Sequence, residues 1–199
     1  MNQTAGEREL IAACQHGDRE AFGQLFDLYK DRIWSVALHY SGNETAARDI
    51  TQQVFLKLFT TIQQFRYDAG FATWLYRLTA NVCLDEHRRN CRVVHFGLFR
   101  ESEDDETDEI SDAQWQSVAV TSDEMLTQRE LSESVKLAVQ QLNPKLRIAI
   151  LLRYFEDLSY EEMAEALGCS AGTVASRLNR GHRALAERLV HLRNQLSSR

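Results

Sequence analysis

Apolar residues recur at spacings of three and four through most of this chain, the period of an amphipathic helix. Leu10, Ile11 and Cys14 predict a short opening helix that ends near His16-Gly17. Asp18 is placed to cap a second helix, along which Phe22, Leu25, Phe26, Tyr29, Ile33, Val36 and Ala37 share a side. Ser41-Gly42-Asn43 breaks that helix. A third is expected from about Glu44 to Ile62, with Ala47, Ile50, Val54, Leu58 and Ile62 on one side and Arg48, Asp49, Gln52, Gln53 and Lys57 on the other. Residues 63–70 read as a polar and aromatic loop, and a fourth helix is expected from about Ala72 to Cys91. Later helices are predicted near 124–142, 145–156, 160–167 and 171–195. No segment shows sustained strand alternation, and Val93-Val94-His95-Phe96 is too short to decide. The expected fold class is all-α: two helical domains joined by an acidic flexible linker, the second with a helix-turn-helix.

Charge divides the chain more sharply than periodicity does. Residues 101–133 carry 12 acidic groups against Arg129 alone. On either side lie basic segments: 76–100 has five arginines against Asp85 and Glu86, and 170–199 has six arginines against Glu187. The net charge of -6 conceals these local fields, which decide binding. The stretch Glu101-Ser-Glu-Asp-Asp-Glu-Thr-Asp-Glu-Ile-Ser-Asp112 has no apolar periodicity and repels itself, so it reads as an interdomain linker. A solvated connector with no further role is the plain alternative.

Composition excludes several classes. At 44% apolar residues the chain can bury a core. No apolar run approaches the ~18 residues of a membrane span, so no direct membrane insertion is expected. The N-terminal residues lack the charged and apolar blocks of a signal peptide, which predicts a cytoplasmic protein. Cys14, Cys83, Cys91 and Cys169 form no CxxC pair, so neither disulfides nor a zinc ribbon are expected, and no cofactor is called for. Without a Gly-rich phosphate loop, nucleophile elbow or paired-carboxylate motif, an enzyme is the least supported class.

The stretch from Leu158 to Arg180 is the most informative. Ser159 and Glu162 form a capping-box pattern, Gly168 sits where the first helix must end, and Ser170 can cap the next. At about 100° per residue, Leu178 and Leu185 fall near Val174 on one face. Asn179, Arg183 and Ser176 fall opposite, flanked by Arg180 and Thr173. Arginine can reach guanine edges or phosphates, and Asn, Ser and Thr supply shorter hydrogen bonds, which suits a helix entering the DNA major groove. Surface arginines alone would suit any solvated amphipathic helix; the tight Gly turn, both caps and the compact spacing favour a DNA-binding helix-turn-helix.

The first half is less readable. Phe65, Tyr67, Phe71, Trp74 and Tyr76 crowd beside Arg66 and Arg77, a mixture that can stack on unpaired bases and hold their phosphates. For Trp74 taken alone, packing as a core anchor is the stronger reading. The patch from Arg48 to Lys57 has a mixed, amide-rich polar edge that suits a protein partner as well as water. Cys83, His87, Cys91 and His95, four apart on one helix, raise a metal or redox alternative. A straight helix spreads them over ~18 Å, too far for one ion.

Taken in order, five motifs resemble the extracytoplasmic-function sigma factors, bacterial initiation subunits that direct RNA polymerase to promoters. They are Gly17-Asp-Arg-Glu-Ala-Phe22, Ala47-Arg-Asp-Ile-Thr-Gln-Gln-Val-Phe-Leu56, Phe71-Ala-Thr-Trp-Leu-Tyr-Arg-Leu78, Leu151-Leu-Arg-Tyr-Phe-Glu-Asp-Leu-Ser-Tyr-Glu-Glu162 and Gly172-Thr-Val-Ala-Ser-Arg-Leu178. The resemblance implies a region 2-like domain at 1–96, an acidic linker at 97–124 and a region 4-like domain at 125–199. It implies that Asp49, Gln52, Gln53, Phe55 and Leu56 contact core polymerase. It implies that Phe65, Arg66, Tyr67, Asp68, Trp74, Tyr76, Arg77, Asn81, Arg88 and Arg89 serve the -10 element, where a flipped base is captured. Arg92 would extend the basic run that holds upstream phosphates. Thr173, Ser176, Arg177, Asn179, Arg180 and Arg183 would read the -35 element. The linker would thread basic channels of the polymerase, and an anti-sigma factor would hold the protein inactive. Position 175 is Ala, where many members place Lys or Arg. The rival is a transcription regulator that uses the same helix-turn-helix but binds duplex DNA without joining polymerase.

Overall fold

In a computed structural model of the chain, the described residues are 5–95 and 128–190, with side chains over 6–91 and 131–190. The linker at 97–124, and the side chains of Arg92 and His95, lie outside them. Eight α-helices are present among the described residues, with no strand. In chain order they are α1 (Ala5–Gln15), α2 (Arg19–Ser41), α3 (Glu44–Thr61), α4 (Phe71–His95), α5 (Gln128–Gln140), α6 (Pro144–Phe155), α7 (Tyr160–Leu167) and α8 (Ala171–Arg188).

Local chemistry sets most of the boundaries. Asp18 caps α2 by accepting from the backbone N–H groups of Glu20 and Ala21, and Asn43 caps α3 through those of Thr45 and Ala46. Between them Gly42, at φ +68°, ends α2 in the left-handed conformation that glycine adopts without a Cβ clash. The run 93–95, ambiguous in sequence, continues α4 as helix. The loop after α3 begins with a short 3-10 turn, Ile62–Gln64, that the apolar pattern does not announce.

The apolar stripes meet as the spacing demands. Leu25, Ile33, Val36 and Ala37 of α2 pack with Ala47, Ile50, Val54 and Leu58 of α3, and with Phe71 and Leu75 of α4. In the second half Ile148, Leu151 and Leu152 of α6 pack with Met163 of α7 and with Val174 and Leu178 of α8. Each of the Leu, Ile, Val, Phe and Met side chains among them contributes ~1.5–3 kcal/mol by leaving water. The two cores are continuous, because α7 lies along α4 while α5 and α6 pack on α2. At that seam a Cβ on Gly42 would overlap the Gln140 side-chain amide of α5.

Candidate nucleic-acid interface

The turn between α7 and α8 is built from the caps the spacing predicts. Ser159 Oγ accepts from the Glu162 N–H at 3.2 Å, and Glu162 Oε2 accepts from the Ser159 N–H at 2.8 Å. That backbone hydrogen bond holds the Glu162 carboxyl below its usual range, against a smaller opposing effect of burial. Gly168, at φ +61°, closes α7 and donates to the carbonyls of Ala164 and Glu165. Ser170 Oγ then accepts from the Thr173 N–H at 3.2 Å to start α8. Gly181 is buried on α6, where an added Cβ would come 3.0 Å from Ile150 Cγ1, so α8 seats closely.

With Val174 and Leu178 turned inward, Ser176, Asn179 and Arg183 are exposed in a row on α8, flanked by half-buried Thr173, Arg177 and Arg180. The flanking groups are already engaged: the Thr173 hydroxyl lies 2.9 Å from Ser170 Oγ, and Arg177 Nη1 reaches Cys169 Sγ at 3.6 Å. Beside the row, exposed Tyr154 on α6 pairs with His182 Nε2 at 2.9 Å. Tyr154 falls within the motif from Leu151 to Glu162 but is not singled out there, and no motif marks His182.

The loop between α3 and α4 is organised by a residue the sequence does not flag. Gln15, at the end of α1, donates through Nε2 to the carbonyls of Ile62 at 3.0 Å and Phe65 at 2.8 Å, while its Oε1 accepts from the Tyr67 hydroxyl at 3.4 Å. Phe65 is buried, with ring centroids 4.7 Å from Tyr67, 5.3 Å from Phe71 and 5.4 Å from Trp74. Phe65, expected among the residues that serve the -10 element, is thus enclosed here and anchors the loop. Arg66, Tyr67 and Asp68 form the exposed tip, Tyr67 at a left-handed φ of +62°. Trp74 is half-buried, and Arg77 and Asn81 are exposed on α4.

Tyr76, also expected at the -10 element, is covered in this arrangement. It is fully buried, and its hydroxyl donates to Glu156 of the second half. Further along α4, Arg88 and Arg89 are exposed and make only surface ion pairs, with Asp85 at 3.1 Å and Glu86 at 3.3 Å. Such pairs contribute about 0–1 kcal/mol and exchange readily for phosphate contacts.

On α3, Asp49, Gln52 and Leu56 are exposed and Gln53 is half-buried. Phe55 differs from expectation: it is buried against Phe26 at 4.6 Å. Phe59 takes its place at the surface, 54% exposed, and forms an apolar patch with Leu56 and Phe26. The sequence obscures this because Phe55 and Phe59 sit at neighbouring helical positions, and only packing decides which turns in. The cysteine–histidine series divides likewise. Burial pushes the Cys83 thiol well up, whereas His87 Nε2 lies 3.4 Å from exposed Cys91. No three metal-ligating side chains converge among the described residues.

Known proteins agree with this arrangement. Sigma-70 region 2 matches residues 25–93, and Sigma-70, region 4 matches residues 132–185. The chain is 30% identical over 186 residues to the ECF RNA polymerase sigma factor SigW of Bacillus subtilis, covering 93% of this chain and 97% of that protein. It is 31% identical over 188 residues to the RNA polymerase sigma-H factor of Pseudomonas aeruginosa, covering 94% and 95%. Among solved structures it is similar to the sigma factor RpoE of Bartonella quintana, crystallised with the anti-sigma factor NepR. The TM-score is 0.61 at 26% identity, over 84% of this chain and 96% of that one. It shares the fold of CnrH, solved with the cytosolic domain of CnrY, at a TM-score of 0.64 and 24% identity over 92% and 97%. With both regions in order along nearly the whole length, the chain belongs to the extracytoplasmic-function sigma factors of RNA polymerase.

Proposed function

We propose that this sigma factor joins core RNA polymerase through the outer face of α3 and reads the two promoter elements with separate domains, in the cytoplasm. Asp49, Gln52, Gln53 and Leu56, with Phe59 and Phe26 beside them, form the polymerase-docking face. The exposed tip Arg66, Tyr67 and Asp68, with Trp74, Arg77 and Asn81, captures the melted -10 strand, and Arg88 and Arg89 hold upstream phosphates. Ser176, Asn179 and Arg183, flanked by Thr173, Arg177 and Arg180, read the -35 element. Residues 97–124 connect the domains through the basic channels of the polymerase.

The outward row on α8 is what chiefly supports this reading, because it pairs groove-reading side chains with an apolar inner face behind a capped Gly turn. The Bartonella quintana relative was crystallised with an anti-sigma factor, and by that likeness a protein of this kind controls the chain. Run-off transcription with bacterial core polymerase and fragmented genomic DNA tests the proposal. Discrete transcripts that vanish when Asp49→Ala and Gln53→Ala are combined support it. A shifted duplex without polymerase, and no transcripts, replaces it with the stand-alone regulator.

A further inference from the structure

Glu156 and Arg147 are the charged side chains buried among the described residues, and both sit where the two domains meet. Glu156 follows the last residue of α6, at the negative end of that helix's dipole, where a carboxylate is unfavourable. Its own helix therefore gives no reason for the placement. The donors that reach it come from the first domain: Arg32 Nε at 2.9 Å, Arg32 Nη2 at 2.8 Å, and the Tyr76 hydroxyl. Burial, and after it Glu156, push the Tyr76 phenol well above its ordinary range, so it keeps its proton and donates.

We propose that Glu156 is a latch that holds the two domains in a closed resting conformation, released from Arg32 and Tyr76 when the chain opens onto a promoter. A second tie runs the other way. Arg147 of α6 donates through Nη1 to the Tyr40 carbonyl of α2 at 2.8 Å, with its guanidinium 5.1 Å from the Tyr40 ring centroid. Arg32 and Tyr40 lie ~12 Å apart along α2, so the two ties fix orientation as well as separation. Closure also carries standing costs. The Tyr40 hydroxyl and Arg147 Nε are buried without a hydrogen-bond partner among the described residues, and opening returns both to water.

The closed form is selective in what it hides. Tyr76 is buried against Glu156 at the end of α6 and α4 packs along α7, whereas Ser176, Asn179 and Arg183 stay exposed. A closed molecule thus offers its duplex-reading helix and withholds part of α4. The promoter half of this inference rests on the functional reading above; the latch itself rests on the contacts alone.

Small-angle X-ray scattering of the full chain tests the latch without polymerase. Glu156→Gln and Arg32→Gln, on different domains, are each expected to raise the radius of gyration by about a fifth, as two compact bodies separate. The charge swap, Glu156→Arg with Arg32→Glu, is expected to restore the wild-type value. Far-UV circular dichroism of each variant checks that the helices persist, and if one variant unfolds the other still reports. Equal radii for wild type and both single variants overturn the latch, as does a swap that fails to close. Run-off transcription at limiting protein reads the promoter half, with a two- to fivefold gain expected for Glu156→Gln. A changed radius without that gain leaves the latch standing and overturns its link to promoter engagement.

Discussion

The row on α8 and the loop between α3 and α4 are both proposed to meet nucleic acid, yet they are made in opposite ways. The α8 row is local. Capping hydrogen bonds, one glycine and helical periodicity fix which residues face out, and all of these lie within 25 residues of sequence. The loop is a tertiary product. Its carbonyls are held by Gln15, some 50 positions earlier, and its floor is a stack of Phe65 on Phe71 and Trp74. A surface made by local rules is readable from a single sequence; one made by distant contacts is readable only in its composition.

The sharpest way to break this contrast is Phe65→Ala. As a loop anchor, Phe65 should contribute ~3–5 kcal/mol to stability, measured by urea unfolding of the full chain. Unchanged stability, with loss of single-strand binding alone, would make the loop a reading surface down to its floor. Next in size, Arg183→Ala should weaken -35 duplex binding by ~1–3 kcal/mol and relax base preference at one position. Arg88→Ala should instead weaken all sequences alike and lower the salt slope of binding by about 1.

Smaller still, Gln15→Ala removes two hydrogen bonds to loop carbonyls. It should cost about 1–2 kcal/mol and weaken capture of a single-stranded -10 oligonucleotide while leaving duplex -35 binding unchanged. Ser159→Ala, on the local side of the contrast, should cost ~1 kcal/mol in thermal unfolding. The pH dependence of this cap lies in Glu162, whose carboxyl is held below its usual range, chiefly by the Ser159 N–H. The cap contributes fully above the ordinary carboxylate pKa of about 4.3 and is lost as pH falls through the lower folded value. Glu162→Gln, which removes the carboxylate and leaves the backbone N–H in place, should therefore show a shallower acid limb than the wild type.

The same distinction explains what was legible beforehand. Helix ends at Asp18, Gly42, Asn43, Ser159, Gly168 and Ser170 were readable because each is set by its own side chain or its own φ. The inward face of α8 was readable from periodicity. Phe55 against Phe59 was not, because two aromatics one turn apart satisfy the same pattern and only Phe26 decides between them. The burial of Tyr76 is not legible either, because its neighbour Arg77 is exposed while its own position is set by a carboxylate 80 residues away. No periodicity carries that information.

Gly42 joins the two kinds of construction in one residue. Its left-handed φ ends α2 by a purely local rule, while the Gln140 amide of the other domain rests against the space where a Cβ would be. A methyl group there would strain the left-handed turn and push the Gln140 side-chain amide aside. Position 42 is thus a spacer of zero thickness: the Gln140 amide fills room that the Cβ of any other residue would take.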